Sequence, residues 1–335
     1  MPADVLSDLL RAVRLRGALF YDVEASHPWV AEARPASELL PEAIPGAEHL
    51  IEFHGVVRGA CWAAMDGHPP VRLEAGDVVL FPRGDAHVMS SAPGLRAPDA
   101  ATHVAPPPPG PPPWPVTVDA AGQARVRLEG GTGATTRVIC GFLGCDARPF
   151  NPLLEALPRL LVLEGAAEEG SWVSSLLTTA VRESSRRRPG SEAVLERMSE
   201  MLFLEALRRH VEGLPEDRTG WLAGLRDPVV GAVLARLHGR PAEPWTLDAL
   251  ADDARVSRST LHERFTQLVG IPPIQYLAQW RMQLAARRLR DTAAKVAAVA
   301  QDVGYESEAA FTRAFKRLVG VTPGAWRRNG NVSEA

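Results

Sequence analysis

The sequence predicts an α+β multidomain chain, β-rich in its first half and all-α in its last, and three observations carry that reading. The first is a duplication. Leu261-His-Glu-Arg-Phe265-Thr-Gln-Leu268-Val269-Gly270, followed by Pro273 and Tyr276, recurs fifty residues on as Phe311-Thr-Arg-Ala-Phe315-Lys-Arg-Leu318-Val319-Gly320, followed by Pro323 and Trp326. Apolar residues at i, i+4 and i+7, then Gly and Pro, describe a helix packed by one stripe and ended sharply. A unit repeated at a fixed offset does the same structural job twice. The second observation is that each copy is preceded by a short capped helix and a tight turn. The third is the run from about Phe20 to Asp146, which reads as strand and turn punctuated by Gly and Pro.

At 335 residues the chain holds two domains, each with its own core. The net charge of −3 hides an asymmetry: residues 227–329 carry 15 Lys/Arg against 10 Asp/Glu, whereas residues 1–226 carry 22 against 29. A basic C-terminal domain suits a polyanion, and the acidic remainder argues against coating nucleic acid along its whole length. Apolar runs fall short of the roughly 20 residues that span a membrane. Met1 to Val13 places Asp4 and Asp8 inside an amphipathic pattern, with no cleavable signal layout. Three cysteines, all before residue 150, make no disulfide framework. The expectation is a cytoplasmic protein with reduced thiols and no membrane association.

Within the β-rich half, Val71-Arg-Leu-Glu-Ala-Gly76-Asp77-Val-Val-Leu-Phe81-Pro82-Arg83-Gly84-Asp85-Ala86-His87 stands out. Asp77 follows a Gly turn, Val78 to Phe81 form an apolar strand, and His87 opens the next. Gly76, Pro82, Gly84 and His87 resemble the second cupin motif, and the resemblance implies a small antiparallel barrel. Cupin enzymes hold a metal with a His-x-His and a Glu from the first motif plus the His of the second. Here the upstream region, Ile51-Glu-Phe-His54-Gly-Val-Val-Arg58-Gly-Ala-Cys61-Trp62, lacks His-x-His. One histidine does not supply the three protein ligands of an open catalytic metal site, so enzyme activity is not expected. No cofactor is expected to be required, and whether the barrel binds a metal stays open. The stretch from Thr136 also resembles cupin-like sensors, which implies a late barrel strand before Leu153 to Pro158 leaves the barrel. It carries Cys140 and Cys145, which odd spacing puts on opposite faces.

The candidate sensor residues are His54, Cys61, His87, Cys140 and Cys145. Cys61 ranks first for thiol chemistry, because a cation at Arg58 would favour its thiolate. The alternative is that these are small buried thiols, since free Cys is among the most buried residue types. Ala97 to Pro115, dense in proline, reads as a solvated polyproline-like loop with His103 idle within it.

Residues 170–210 switch to helical period: Ser171 to Glu183 is one helix, Ser184 to Gly190 is a loop, and Ser191 caps a second helix. Val194, Leu195, Met198, Met201, Leu202 and Phe203 give that helix a wide apolar face, which is either a layer packed on the barrel or a dimer surface. The expected domains are residues 1–165 (cupin-like sensor), 166–212 (helical hairpin, dimerisation), 213–226 (linker) and 227–329 (DNA-binding).

In the last of these, Thr246 caps a helix through Ala251, a turn falls near Arg255, and Ser257 caps the next helix. The second copy runs from Val296 through Ala300, with Gly304 at the turn and Ser307 as cap. A small Ala, a turn and a capped helix make a helix-turn-helix pattern. Residues 227–329 resemble the DNA-binding domain of the AraC/XylS family of bacterial regulators, most specifically from Ala300 to Pro323. That resemblance implies two helix-turn-helix units joined by a long helix, here about Pro273 to Arg290 with Arg281 at the family's arginine position. Arg255 departs from it, standing where Gly more easily takes positive φ. The Phe53–Trp62 stretch is similar to a branch with cupin-like sensors, which includes regulators responding to reactive chlorine.

The resulting expectation is a transcription regulator, an activator, that binds promoter DNA as a homodimer and is controlled by a small-molecule or oxidant effector. RNA polymerase is a candidate further partner. The alternative is a cupin-type isomerase or dioxygenase with an accessory helical domain. With Leu261, Phe265 and Leu268 inward, Ser259, His262 and Glu263 face outward. Glu308, Ala309, Thr312 and Arg313 do so in the second helix, beside its cap Ser307. Arg313 is expected on guanine and Glu263 on cytosine. Arg258, Lys316 and Arg317, with Arg264 as a further candidate, are expected on phosphate.

Overall fold

The computed structural model describes residues 4–44, 46–96, 114–118, 124–125, 135–165, 172–186, 188–215 and 218–331. His103 and most of the proline-rich stretch lie outside them. The elements begin with α1 (Val5–Ala12), β1 (Arg16–Ser26), β2 (Val30–Ala33), α2 (Ala36–Ala43), β3 (His49–Arg58) and β4 (Ala60–Met65). There follow β5 (Val71–Glu74), β6 (Val78–Phe81), β7 (His87–Ser90), β8 (Trp114–Val118), β9 (Ala124–Arg125) and β10 (Thr135–Cys145). Next come α3 (Pro152–Ala156), β11 (Leu161–Leu163), α4 (Trp172–Arg186), α5 (Ser191–Glu212), α6 (Trp221–Arg226) and α7 (Pro228–Gly239). The chain closes with α8 (Leu247–Asp253), α9 (Arg258–Val269), α10 (Pro273–Asp291), α11 (Val296–Asp302), α12 (Glu308–Val319) and α13 (Pro323–Asn331).

Two compact units result, one of residues 16–145 with 157–210 and one of residues 1–15, 146–156 and 211–335. They cut the chain differently from the contiguous ranges 1–165, 166–212, 213–226 and 227–329. Gln283 of α10 shows why: its amide donates to Ala12 O at 3.1 Å and accepts from Phe150 N at 3.0 Å. Asp146 ties the same pieces together, pairing with Arg14 at 2.8 Å and with Arg290 at 3.2 Å. The expected linker is also partly structural, because Trp221 Nε1 donates to the Tyr276 hydroxyl at 2.9 Å. A truncation at residue 227 therefore strips helices from the DNA-binding unit.

The β unit has a seven-stranded sheet, ordered β11-β6-β3-β10-β1-β8-β9, and a four-stranded sheet, ordered β2-β7-β4-β5. Ala25, Val56, Val79, Phe81 and Val138 from the first and Cys61, Ala63, Leu73 and Met89 from the second share one core. Gly76 and Gly84 take φ of +103° and +65° at the turns flanking β6, as the Gly and Pro pattern implies. The proline-rich range ends earlier than expected, since Trp114 and Pro115 pair with Tyr21 and Asp22 in the parallel β1–β8 ladder. α4 runs to Arg186, past the expected loop start at Ser184. Leu177 of α4 lies over Gly55, and Ser199 of α5 lies over Gly17. The hairpin's apolar face is thus largely a packing layer, with Trp172, Val194 and Met201 left 40%, 44% and 48% exposed. No helix among the described residues is long and apolar enough to cross a membrane.

In the helical unit each expected cap is in place. Thr246, Ser257 and Ser307 accept from Ala249 N, Thr260 N and Ala310 N, and Gly270 and Gly320 end α9 and α12 at φ of +86° and +88°. Gly304 turns at φ +84° and Arg255 at +55°, so the first turn holds an arginine in the left-handed region.

Buried His238 stacks on Trp280, and its Nε2 accepts from the Tyr276 hydroxyl at 2.8 Å. Desolvation pushes its pKa down to about 3, so it folds neutral. Unfolded, it takes up a proton near the ordinary value of about 6.5. Protonation thus favours the unfolded chain, and stability drains as pH falls from about 6.5 toward 3. The stability-versus-pH slope of wild type between pH 4 and 6 should exceed that of His238→Phe by about 1.4 kcal/mol per pH unit. Urea unfolding checks this, and equal slopes would refute it.

Candidate functional site

Two surfaces emerge. The first lies on α9 and α12. Leu261, Phe265, Phe311 and Phe315 are fully buried, which turns the opposite faces of both helices to solvent. Arg258, Ser259, His262, Glu263, Arg264, Ser307, Glu308, Ala309, Arg313, Lys316 and Arg317 are all exposed, and Thr312 is half-buried. Arg313 and Lys316 make no ion pair among the described residues. Arg258 meets Asp248 at 3.4 Å in an exposed pair that a phosphate can displace. Arg264 differs, because its Nε and Nη2 bind Asp227 Oδ2 at 2.9 and 2.7 Å, and Asp227 caps α7. Its expected place on phosphate thus competes with an internal bond.

Arg281 of α10 braces the two helix-turn-helix units against each other. Its Nε and Nη2 donate to Pro241 O and Glu243 O, both at 2.7 Å, and Nη1 reaches Gly304 O at 3.4 Å. One guanidinium therefore holds the approach to α8 and the turn before α12, an arrangement that suits a fork of rigid donors.

The second surface is internal. His54 Nε2 and His87 Nε2 lie 2.7 Å apart, and Glu52 Oε2 lies 3.7 Å from His87 Nε2. All three side chains are buried. Glu52 and His54 alternate on β3 and so share a face, while the β3–β6 ladder sets His54 against Val79, near His87 at the head of β7. His87 Nδ1 is bonded to Asp85 O at 2.9 Å, and its ring stacks on Phe81 at 3.6 Å between centroids. Burial raises the Glu52 carboxyl to about 8 and lowers His87 to about 4, and it holds His54 well below its ordinary value. Glu52 was missed in the sequence reading, which counted a single histidine against the three ligands a metal site needs. The strand periodicity of Glu52-x-His54 is the signal that could have found it.

The thiols are placed less favourably than expected. Cys61 is buried, its thiol pushed up to about 12 by desolvation and by Asp77. Arg58, the cation expected beside it, turns away to Glu24 and Thr135. Cys140, opposite His54 in the ladder, is likewise held well above its usual range by desolvation. Cys140 and Cys145 sit five residues apart on one strand, about 17 Å at 3.3–3.4 Å per residue, beyond disulfide reach.

A barrel with an internal polar cluster, joined to paired helix-turn-helix units, defines a DNA-binding protein with a sensor domain. A family model described as "Cupin" matches residues 4–212, and one described as "Helix-turn-helix domain" matches residues 250–329. An AraC-like transcription regulator of Streptomyces lividans is 33% identical over 327 residues, 97% of this chain and 98% of the relative. The RCS-specific transcriptional activator RclR of Escherichia coli is 27% identical over 286 residues, 84% and 86% of the two chains. The solved DNA-binding domain of AdpA in complex with a target DNA is 31% identical, covering 32% of this chain and 95% of its own, with a TM-score of 0.30. The chain belongs to the AraC family of transcription regulators, with an N-terminal cupin domain. Its relatives are regulators and not enzymes, so the isomerase or dioxygenase alternative falls.

Proposed function

We propose that this regulator is a cytoplasmic activator that reads promoter DNA with α9 and α12 in successive major grooves on one DNA face, about 34–36 Å apart. The observation that supports it best is the matched pair of capped helices, each with its apolar stripe buried and its polar face exposed. Ser259, His262 and Glu263 on one helix and Glu308, Ala309, Thr312 and Arg313 on the other read bases. Arg258, Lys316 and Arg317 hold phosphates, and RNA polymerase is the partner that activation requires. The exposed Trp172, Val194 and Met201 support a homodimer formed through the α4–α5 hairpin. A relative named as an RCS-specific activator supports activation. An oxidant as effector is weaker, because the protonated thiols of buried Cys61 and half-buried Cys140 tell against thiolate chemistry. A ligand bound inside the barrel is the effector class that the polar cluster supports.

Selection of bound sequences from random double-stranded DNA with the full-length protein tests the reading, and absence of enrichment would sink it. On a selected site, two protected major-groove segments should lie about one turn apart. Arg313→Ala should weaken binding by roughly 1–3 kcal/mol and relax preference at one base pair. A uniform loss across sequences would make Arg313 a phosphate contact instead.

A further inference from the structure

We propose that Glu52, His54 and His87 form a three-ligand site inside the barrel for one divalent transition-metal ion of the zinc, cobalt and nickel class. The carboxylate and imidazole donor atoms all lie within 4.8 Å of one another. Ligands at about 2.0–2.1 Å from a metal stand about 3.0 Å apart at right angles and about 3.4 Å apart at tetrahedral angles. Two of the three separations, 2.7 and 3.7 Å, bracket that range, and the Glu52–His54 pair lies within 4.8 Å, so side-chain adjustment brings all three donors onto one ion.

The hydrogen bonding has the same implication. His87 Nδ1 donates its proton to Asp85 O, which leaves the Nε2 lone pair aimed at His54 and Glu52. This is the outer bond that orients a ligating imidazole and fixes its tautomer. Two imidazole nitrogens at 2.7 Å share a single proton, and Glu52 Oε1 has no partner among the described residues. A buried acceptor left unmatched is costly, and a cation engages the three facing donor atoms, His54 Nε2, His87 Nε2 and a Glu52 oxygen, at once. Two imidazoles and a carboxylate suit borderline ions, whereas calcium and magnesium require oxygen ligands and copper(I) prefers sulfur. Three protein ligands leave a coordination position open to water or a small effector. The set differs from the His-x-His arrangement of cupin enzymes in residue type: a carboxylate, Glu52, precedes His54 at the i, i+2 spacing where that pattern has a second imidazole. Its regulatory meaning rests on the effector reading above, but the site itself does not.

The test uses full-length protein stripped with a chelator, then titrated with cobalt(II) and followed by visible absorption, with zinc(II) as competitor. Metal content is measured after desalting. One ion per chain is expected, with cobalt displaced by zinc. Loss of an outer partner typically costs 10–100-fold in affinity, so Glu52→Gln and His54→Gln, each removing a direct ligand, should lose roughly 100-fold or more. Near-ultraviolet circular dichroism verifies that both variants keep the wild-type fold. Stoichiometry near zero in folded wild type overturns the proposal. So does unchanged affinity in both variants, which would move the ion to an exposed histidine such as His68. DNA selection is read separately, so failure of either proposal leaves the other's result intact.

Discussion

Replacing Gly304 by alanine is expected to cost about 3 kcal/mol or more and to weaken DNA binding in the same step. Two penalties combine. The residue sits at φ +84°, where an L side chain is strained by roughly 1–2 kcal/mol. A Cβ there would also stand 2.5 Å from Ala242 O and 2.7 Å from Ala242 Cα. Both neighbours are backbone and cannot rotate away, so the turn before α12 must open. That turn also presents its carbonyl to Arg281, so the brace between the two units is disturbed with it. Gly270 and Gly320 supply the control: both have positive φ, but nothing lies within 4 Å of an added Cβ. Alanine at either should cost about 1 kcal/mol. Urea unfolding of the three variants decides the matter, and equal losses would remove the close approach at Ala242 from the explanation.

Asp146→Asn is expected to cost about 3 kcal/mol by unfolding at neutral pH. The carboxylate is almost wholly buried and accepts from Arg14 Nε and Nη2, both at 2.8 Å, and from Arg290 at 3.2 Å. Arg290 also lies 4.1 Å from the Trp326 ring centre, within cation–π range. Neutralising the shared partner removes the closest carboxylate of two mostly buried guanidiniums, leaving Arg14 with Asp291 at the longer distance of 4.0 Å, and breaking a buried pair typically costs about 3–5 kcal/mol. The lower end applies because both arginines keep some solvent contact, 18% and 13% of their side chains. Asp146 holds the segment before α3 and the residues after α1 to α10, so the loss is felt in the helical unit. A loss below about 1 kcal/mol would show that water replaces the carboxylate there.

The helical half was legible because its signals are local. A helix bonds each N–H four residues back, so caps at Thr246, Ser257 and Ser307, stops at Gly270 and Gly320, and the stripe of Leu261 and Phe265 each act within a few residues. The turn at Gly304 and the flagged strain at Arg255 were legible for the same reason. The outward placement of Ser259, His262, Glu263 and Arg313 follows from 3.6-residue periodicity alone.

Only the tertiary structure decided the rest, because its determinants lie far apart along the chain. Strand pairing joins β3 to β6 and brings His54 to His87 across 33 residues; with Glu52 beside them, a lone histidine becomes a three-donor cluster. The β3–β10 ladder likewise sets Arg58 beside Arg137, away from Cys61. Arg264 was a plausible phosphate contact until folding brought Asp227, thirty-seven residues upstream, within 2.7 Å. Spacing in sequence says which face a side chain takes; which neighbour it meets there is set by sheet register and helix packing, neither of which is written in any local stretch.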